Sequence, residues 1–157
     1  MKENQKGSGK LFIIGGSANL TLKELIKHAG GKNAQIALVP HASGIARESA
    51  EETTQKLVLL GAKNVSTIMP QRGKPFAIPR GTRALYMLGG DQLRLVRLLG
   101  TAGARMIKKF LNSGGMLAGS SAGAAAVAPI MIAGGMSGGK IDGSLMLKPG
   151  LNLIDKV

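Results

Sequence analysis

The chain has no cysteine and no tryptophan, and only one tyrosine and three phenylalanines among its 157 residues. Without cysteine there is no disulfide, no thiolate metal site and no cysteine nucleophile, and a cytoplasmic location is compatible with that usage. With so few aromatic rings, the core has to be built from Leu, Ile, Val, Met and Ala. Acidic residues are scarce too: 8 Asp and Glu against 21 Lys and Arg give a formal net charge of +13. Such a charge raises nucleic acid, an acidic membrane surface or an anionic substrate as partners. The cations are spread along the chain, however. Their tightest groupings are Arg94/Arg97 and Lys108-Lys109, and no basic run interleaves with aromatics. The pattern argues against specific nucleic-acid binding and for a solvated basic surface. No apolar run has the length of a membrane span, since the stretch 124–133 is short and Gly-bounded. Residues 1–9 form a polar tail without the apolar core of a signal peptide.

Glycine, by contrast, is plentiful at 24 residues, as suits an α/β domain with many tight turns. The length fits one domain, and the 44% apolar content is enough for a sizeable core. Short apolar runs at 11–14, 35–39, 84–88 and 116–118 have the character of buried strands, and 65–69 reads as a further strand. Between them lie helical patterns at about 19–29, 45–60, 92–99 and 102–112. Gly100-Thr101 separates the last two, and a further helix is expected at 122–132. Residues 70–81, with three prolines, read as an exposed loop, and the glycines after 134 suggest a turn-rich β segment. Alternating strands and helices predict a doubly wound parallel sheet of about five strands, with helices on both faces. Ligands of such sheets bind at the carboxyl ends of the strands. The Gly-rich turns after the first, fourth and fifth strands, and the His41 turn after the second, converge on that edge.

The most informative stretch is Gly114-Gly-Met-Leu-Ala-Gly119-Ser-Ser-Ala-Gly123-Ala. It contains a G-x-S-x-G pattern in the setting of strand, tight turn and helix. Ser121 would sit on a sharp elbow at the sheet edge, beside helix amides able to hold an oxyanion. The residues alone leave two readings, a nucleophile or a Gly-rich strand-to-helix turn without chemistry. A second turn, Gly89-Gly90-Asp91-Gln92, adds unobstructed backbone N–H groups at the same edge. Acyl transfer needs a nucleophile and oxyanion donors from different segments, and these two turns provide both. Of the two histidines, His28 reads as a charge at a helix end. His41 reads as a turn residue, with a role as substitute base the lesser alternative. Ser17 and Ser43 read as capping or turn hydroxyls.

These segments together resemble cyanophycinase, in the serine-peptidase family that also contains peptidase E. The resemblance rests on residues 11–16 (Leu-Phe-Ile-Ile-Gly-Gly), 40–44 (Pro-His-Ala-Ser-Gly), 88–95 (Leu-Gly-Gly-Asp-Gln-Leu-Arg-Leu), 119–125 (Gly-Ser-Ser-Ala-Gly-Ala-Ala) and 149–154 (Pro-Gly-Leu-Asn-Leu-Ile). It implies a glutamine-amidotransferase-like, flavodoxin-like three-layer sandwich. It also implies hydrolysis of aspartyl-linked peptides, cyanophycin to β-Asp-Arg, through an acyl-enzyme, without metal or organic cofactor. By the motif match Ser121 would be the nucleophile, and Gly90 and Ala122 would supply the oxyanion amides. Gly89, Asp91, Gln92 and Ser120 would line the substrate site, and the protein would be a homodimer. The family's histidine lies in an Asp-Gln-His-Phe segment beyond the point where this sequence stops, so residues 10–157 are expected to be a C-terminally truncated hydrolytic domain. The acidic triad member is expected soon after the helix that follows the serine, where Asp142 is the nearest acid. A binding or assembly module without catalysis is the other reading that this pattern allows.

Overall fold

The computed structural model describes residues 9–15, 21–71, 74–137 and 140–154, and the side chains of all of these except 135–144. Residues 1–8 of the expected tail, Ser17 and the side chain of Asp142 therefore lie outside what is described.

Five parallel strands form the central sheet: β1 (Lys10–Ile14), β2 (Gln35–Val39), β3 (Asn64–Thr67), β4 (Ala84–Met87) and β5 (Met116–Ser120). Their spatial order is β1-β5-β4-β2-β3. Central strands β4 and β5 are buried along their whole length, the result of continuous apolar runs covered on both faces. On one face lie α1 (Leu22–Ala29) and α2 (Ala46–Leu59), which bury Leu22, Leu25, Ile26 and Leu57 against Ile36, Leu38, Tyr86 and Ala118. On the other lie α3 (Gln92–Asn112) and α4 (Ala122–Ala125), which pack Leu95, Leu99, Ile107 and Ala122 against Val39, Leu85, Met87 and Leu117. The molecule is thus a three-layer α/β sandwich. The break expected near residue 100 is a kink inside α3, where Gly100 takes φ 56° and ψ −170°.

The expected helix over 122–132 is a single turn, α4, followed by strand β6 (Ile130–Ser137). The Ala-rich composition favours helix, but Pro129 disfavours helical backbone at Ala128 and has no N–H to continue the ladder. The freed carbonyls are taken up instead by the segment 150–153. Leu151 N–H donates to Ala126 O at 2.8 Å, Leu153 N–H to Val127 O at 2.9 Å and Gly150 N–H to Pro129 O at 2.9 Å. The remaining chain is more regular than its glycines suggest. β6 pairs antiparallel with β7 (Lys140–Pro149) in a two-stranded ribbon with two register shifts.

The strand order fixes where a ligand can sit. From β2 the chain moves through α2 outward to β3, and from β4 it moves through α3 in the opposite direction to β5. The sheet therefore has its switch point between the carboxyl ends of β2 and β4, with β5 next in line.

Candidate active site

The elbow is built by close approach of backbone. A Cβ on Gly119 would lie 2.5 Å from Gly123 O, and one on Gly123 would lie 2.2 Å from Met87 O. Both distances are impossible for real side chains, so α4 can start directly on top of β5 and against β4 only with glycine at these positions. Between them, Ser121 is exposed and takes φ 50° and ψ −112°, outside the left-handed well that non-glycine residues tolerate. Its N–H donates to Ile14 O at 3.1 Å, so β1 locks the turn from the other side. A residue held in so sparse a region costs about 1–3 kcal/mol, which the surrounding structure must supply.

Next to Ser121 runs the turn after β4. A Cβ on Gly89 would lie 3.4 Å from Ser121 Cβ and 4.0 Å from its Oγ. Gly90 has φ 138°, and a Cβ there would meet Ala42 O at 2.4 Å. The turn is thereby wedged between the Ser121 elbow and the turn after β2, and Asp91 N–H fixes it by donating to Ala42 O at 2.9 Å. Among the described residues, neither the Gly90 N–H nor the buried Ala122 N–H has a hydrogen-bond partner. Gly90 is exposed and Ala122 buried, and the two donors beside an exposed serine can together receive an oxyanion.

The other predicted site residues are tied to the scaffold. Asp91 is the N-cap of α3, its Oδ1 accepting from Leu93 N–H at 2.8 Å and Arg94 N–H at 3.1 Å. Gln92 donates through Nε2 to Ile132 O at 2.7 Å, tying the root of the β6–β7 ribbon to this edge. Ser120, by strand alternation, faces α1 and α2, where it hydrogen-bonds the Tyr86 hydroxyl. Burial pushes the Tyr86 phenol up, and the hydrogen bond from Ser120 works against that shift. Ser43 acts as a turn hydroxyl, accepting from Ile45 N–H at 3.1 Å and sharing a 2.7 Å bond with Ser49 ahead of α2.

No partner for the Ser121 hydroxyl is found among the described residues. His28 lies on the surface of α1, 3.7 Å from Glu24, with its ring 5.7 Å from that of Phe12 and tilted by 40° to it. His41 is buried at the carboxyl edge, but its ring meets Phe76 edge-on at 5.7 Å. Burial lowers its pKa to about 4, so it is neutral at physiological pH. Its Nδ1 is sealed from solvent and has no hydrogen-bond partner among the described residues. The ring borders a cavity of about 370 Å³ formed with the loop after β3. That cavity was not evident from the sequence, where 70–81 reads only as exposed loop; the signals were Phe76 among three prolines.

No curated protein matches the chain. Among solved structures it is similar to a candidate peptidase E protein from Listeria monocytogenes EGD-e, with TM-score 0.65 and 21% identity over 94% of this chain and 77% of that one. It is also similar to a peptidase from an acI-B1 Actinobacterium, with TM-score 0.60 and 19% identity over 81% of this chain and 59% of that one. At such identities the likeness speaks for the shared three-layer fold. The sequence model of Peptidase family S51 matches residues 11–157, which include both motif-bearing turns. The chain therefore belongs to peptidase family S51, and this membership supports a peptidase function.

Proposed function

We propose that the chain is a serine-type peptidase of the cyanophycinase kind, hydrolysing aspartyl-linked peptides through an acyl-enzyme on Ser121. The observation that carries this reading is the strained, exposed serine beside two backbone donors, at Gly90 and Ala122, that have no partner among the described residues. Ser121 Oγ would attack the carbonyl carbon while its proton passes to a base. The carbonyl oxygen, now an anion, would rest on the two N–H groups. Collapse would break the peptide C–N bond, the amine leaving with that proton, and water would then release the acid and regenerate the serine. Neither histidine is assigned as the base: His28 lies on the surface of α1 beside Glu24, and His41 packs its ring edge-on against Phe76. Gly89 lies against Ser121, and Asp91 and Gln92 brace this edge by capping α3 and holding β6, whereas Ser120 points the other way, to Tyr86. The reading includes an Asp/Arg-containing peptide substrate such as cyanophycin, a cytoplasmic location and a homodimer. The exposed Ile130, Ile132, Leu145, Met146 and Leu147 of the ribbon are a face for the second copy. Among the described residues no helix is long and apolar enough to cross a membrane.

Because Ser121 Oγ has no partner among the described residues, a binding or assembly module that retains the edge but not the chemistry is the second reading. A serine-directed phosphonate separates the two. The enzyme reading expects one adduct, on Ser121, absent in Ser121→Ala. A chain that stays unlabelled while folded supports the binding module.

A further inference from the structure

Part of the +13 charge gathers around an apolar helix end far from Ser121. The last turn of α2 carries Leu57, Val58 and Leu59, followed by Leu60, and only Leu57 is fully in the core. Val58 is 53% exposed and Leu59 86% exposed, so two large apolar side chains stand in solvent at one helix end. That end is closed firmly: Gly61 N–H donates to Val58 O at 2.8 Å and Ala62 N–H to Leu57 O at 2.9 Å. Beside it α1 ends at the turn of Gly30 and Gly31, and Lys23 and Lys27 of α1, Lys32 of the following turn and Leu59 line one open trough. Lys32 lies along the end of α2, where a Cβ on Gly61 would meet its Cε at 3.0 Å. Lys63 is tied to the same place, its N–H donating to Lys32 O at 2.9 Å. Lys27 pairs with Glu24, whereas Lys23, Lys32 and Lys63 have no ion-pair partner among the described residues.

We propose that this helix end is a docking surface for an anionic lipid bilayer. An apolar tip flanked by lysines matches the layering of a bilayer surface. Val58 and Leu59 reach the boundary between headgroups and acyl chains, while the ammonium groups stay among the lipid phosphates and carboxylates. The chemistry tells against other occupants. Protein interfaces favour aromatic rings and arginine over lysine, and the trough is lined by neither ring nor arginine. Single-stranded nucleic acid needs rings to stack on and would leave Leu59 in water. A second copy seated here would bring lysines against lysines. Strands β2 and β3 begin just after these two helix ends, so the patch lies at the amino edge of the sheet. A chain docked there keeps the opposite edge, with Ser121, turned to solvent.

The test is co-sedimentation of the chain with vesicles, which needs no catalysis and is independent of Ser121. Vesicles of phosphatidylcholine alone are compared with vesicles containing about a third phosphatidylserine, at low salt, where attraction to the surface is least screened. The chain is expected to pellet with the anionic vesicles and to stay in solution with the neutral ones. The triple variant Lys23→Gln, Lys32→Gln, Lys63→Gln should bind about a hundredfold more weakly, at roughly fivefold per lysine, and Leu59→Gln alone about tenfold more weakly. A second triple variant, Arg97→Gln, Arg105→Gln, Lys109→Gln, removes the same charge from exposed positions of α3 on the opposite layer and should change binding by less than about threefold. All the substituted residues are exposed, and thermal melting checks the fold of each variant. No binding to the anionic vesicles, or equal binding to the neutral ones, overturns the proposal. An equal loss in the α3 variant also overturns it, because the attraction then belongs to the basic chain as a whole. So does binding that survives Leu59→Gln unchanged, which leaves a surface for polyanions without insertion, or binding that survives loss of the three lysines.

Discussion

The strain at Ser121 can be weighed directly by replacing it with glycine. The residue sits at φ 50° and ψ −112°, its side chain is exposed, and its hydroxyl has no partner among the described residues. Ser121→Gly therefore removes little contact and relieves a backbone cost of about 1–3 kcal/mol. Against this stands the greater freedom of glycine in the unfolded chain, which costs about 0.5–1 kcal/mol. The net expectation is a gain of about 1 kcal/mol, or about 2–4 °C in Tm for a chain of this size. Ser121→Ala keeps the Cβ and with it the strain, so its stability should match wild type within about 0.5 kcal/mol. The assay is urea unfolding of all three proteins, comparing midpoints at unchanged slope. If the glycine variant is no more stable than the alanine variant, Ser121 is not strained and the elbow argument fails. A gain confined to glycine would mean that the fold gives up stability to present this one hydroxyl, the pattern expected where strain serves function.

Three further outcomes follow from the same geometry. Gly123→Ala places a methyl 2.2 Å from Met87 O, a backbone atom that cannot yield, so it should destabilise the chain by about 2–4 kcal/mol in urea unfolding, whereas a cost under about 0.5 kcal/mol would contradict the close approach of α4 to β4. Asp91→Ala should lower stability by about 1 kcal/mol by uncapping α3, and Asp91→Ser should restore most of it, because Leu93 and Arg94 N–H need only an oxygen acceptor. His41 has a folded pKa of about 4 against 6.5 in the unfolded chain, so between those values the unfolded state holds the extra proton and stability falls as pH is lowered, by about 3 kcal/mol in all and with no further loss from this group below the lower value; the slope of stability against pH over that window should flatten in His41→Phe, and an unchanged slope would contradict the assignment.

The parts of the fold that were legible in the sequence are those where one physical signal dominates. Ile36–Val39 and Ala84–Leu88 are uninterrupted apolar runs, and a run of that length covered on both sides can only be an interior strand of a parallel sheet. The elbow was legible because glycines at 119 and 123 flank the serine at fixed spacing, and the structure shows backbone oxygens where their side chains would be. The region after Ala125 was not legible, because alanine favours helix at every position while the deciding residue, Pro129, acts on its neighbour and the partner strand lies at 140–149. The Gly89-Gly90-Asp91-Gln92 turn was visible as a motif, but its bonds were not: the carboxylate of Asp91 turns back to cap its own helix, and Gln92 reaches a carbonyl 40 residues away. The cavity at His41 depends on a loop from beyond β3 folding over β2, a long-range contact that no local pattern encodes.

The central claim is that Ser121 attacks an aspartyl-linked carbonyl. Its most direct measurement is release of β-Asp-Arg from cyanophycin by the wild-type chain and by Ser121→Ala, followed by mass spectrometry after rapid acid quench. Release by wild type alone, with an acyl adduct on the peptide that contains Ser121, is the predicted result. Equal release from both proteins, or none above background from either, contradicts it.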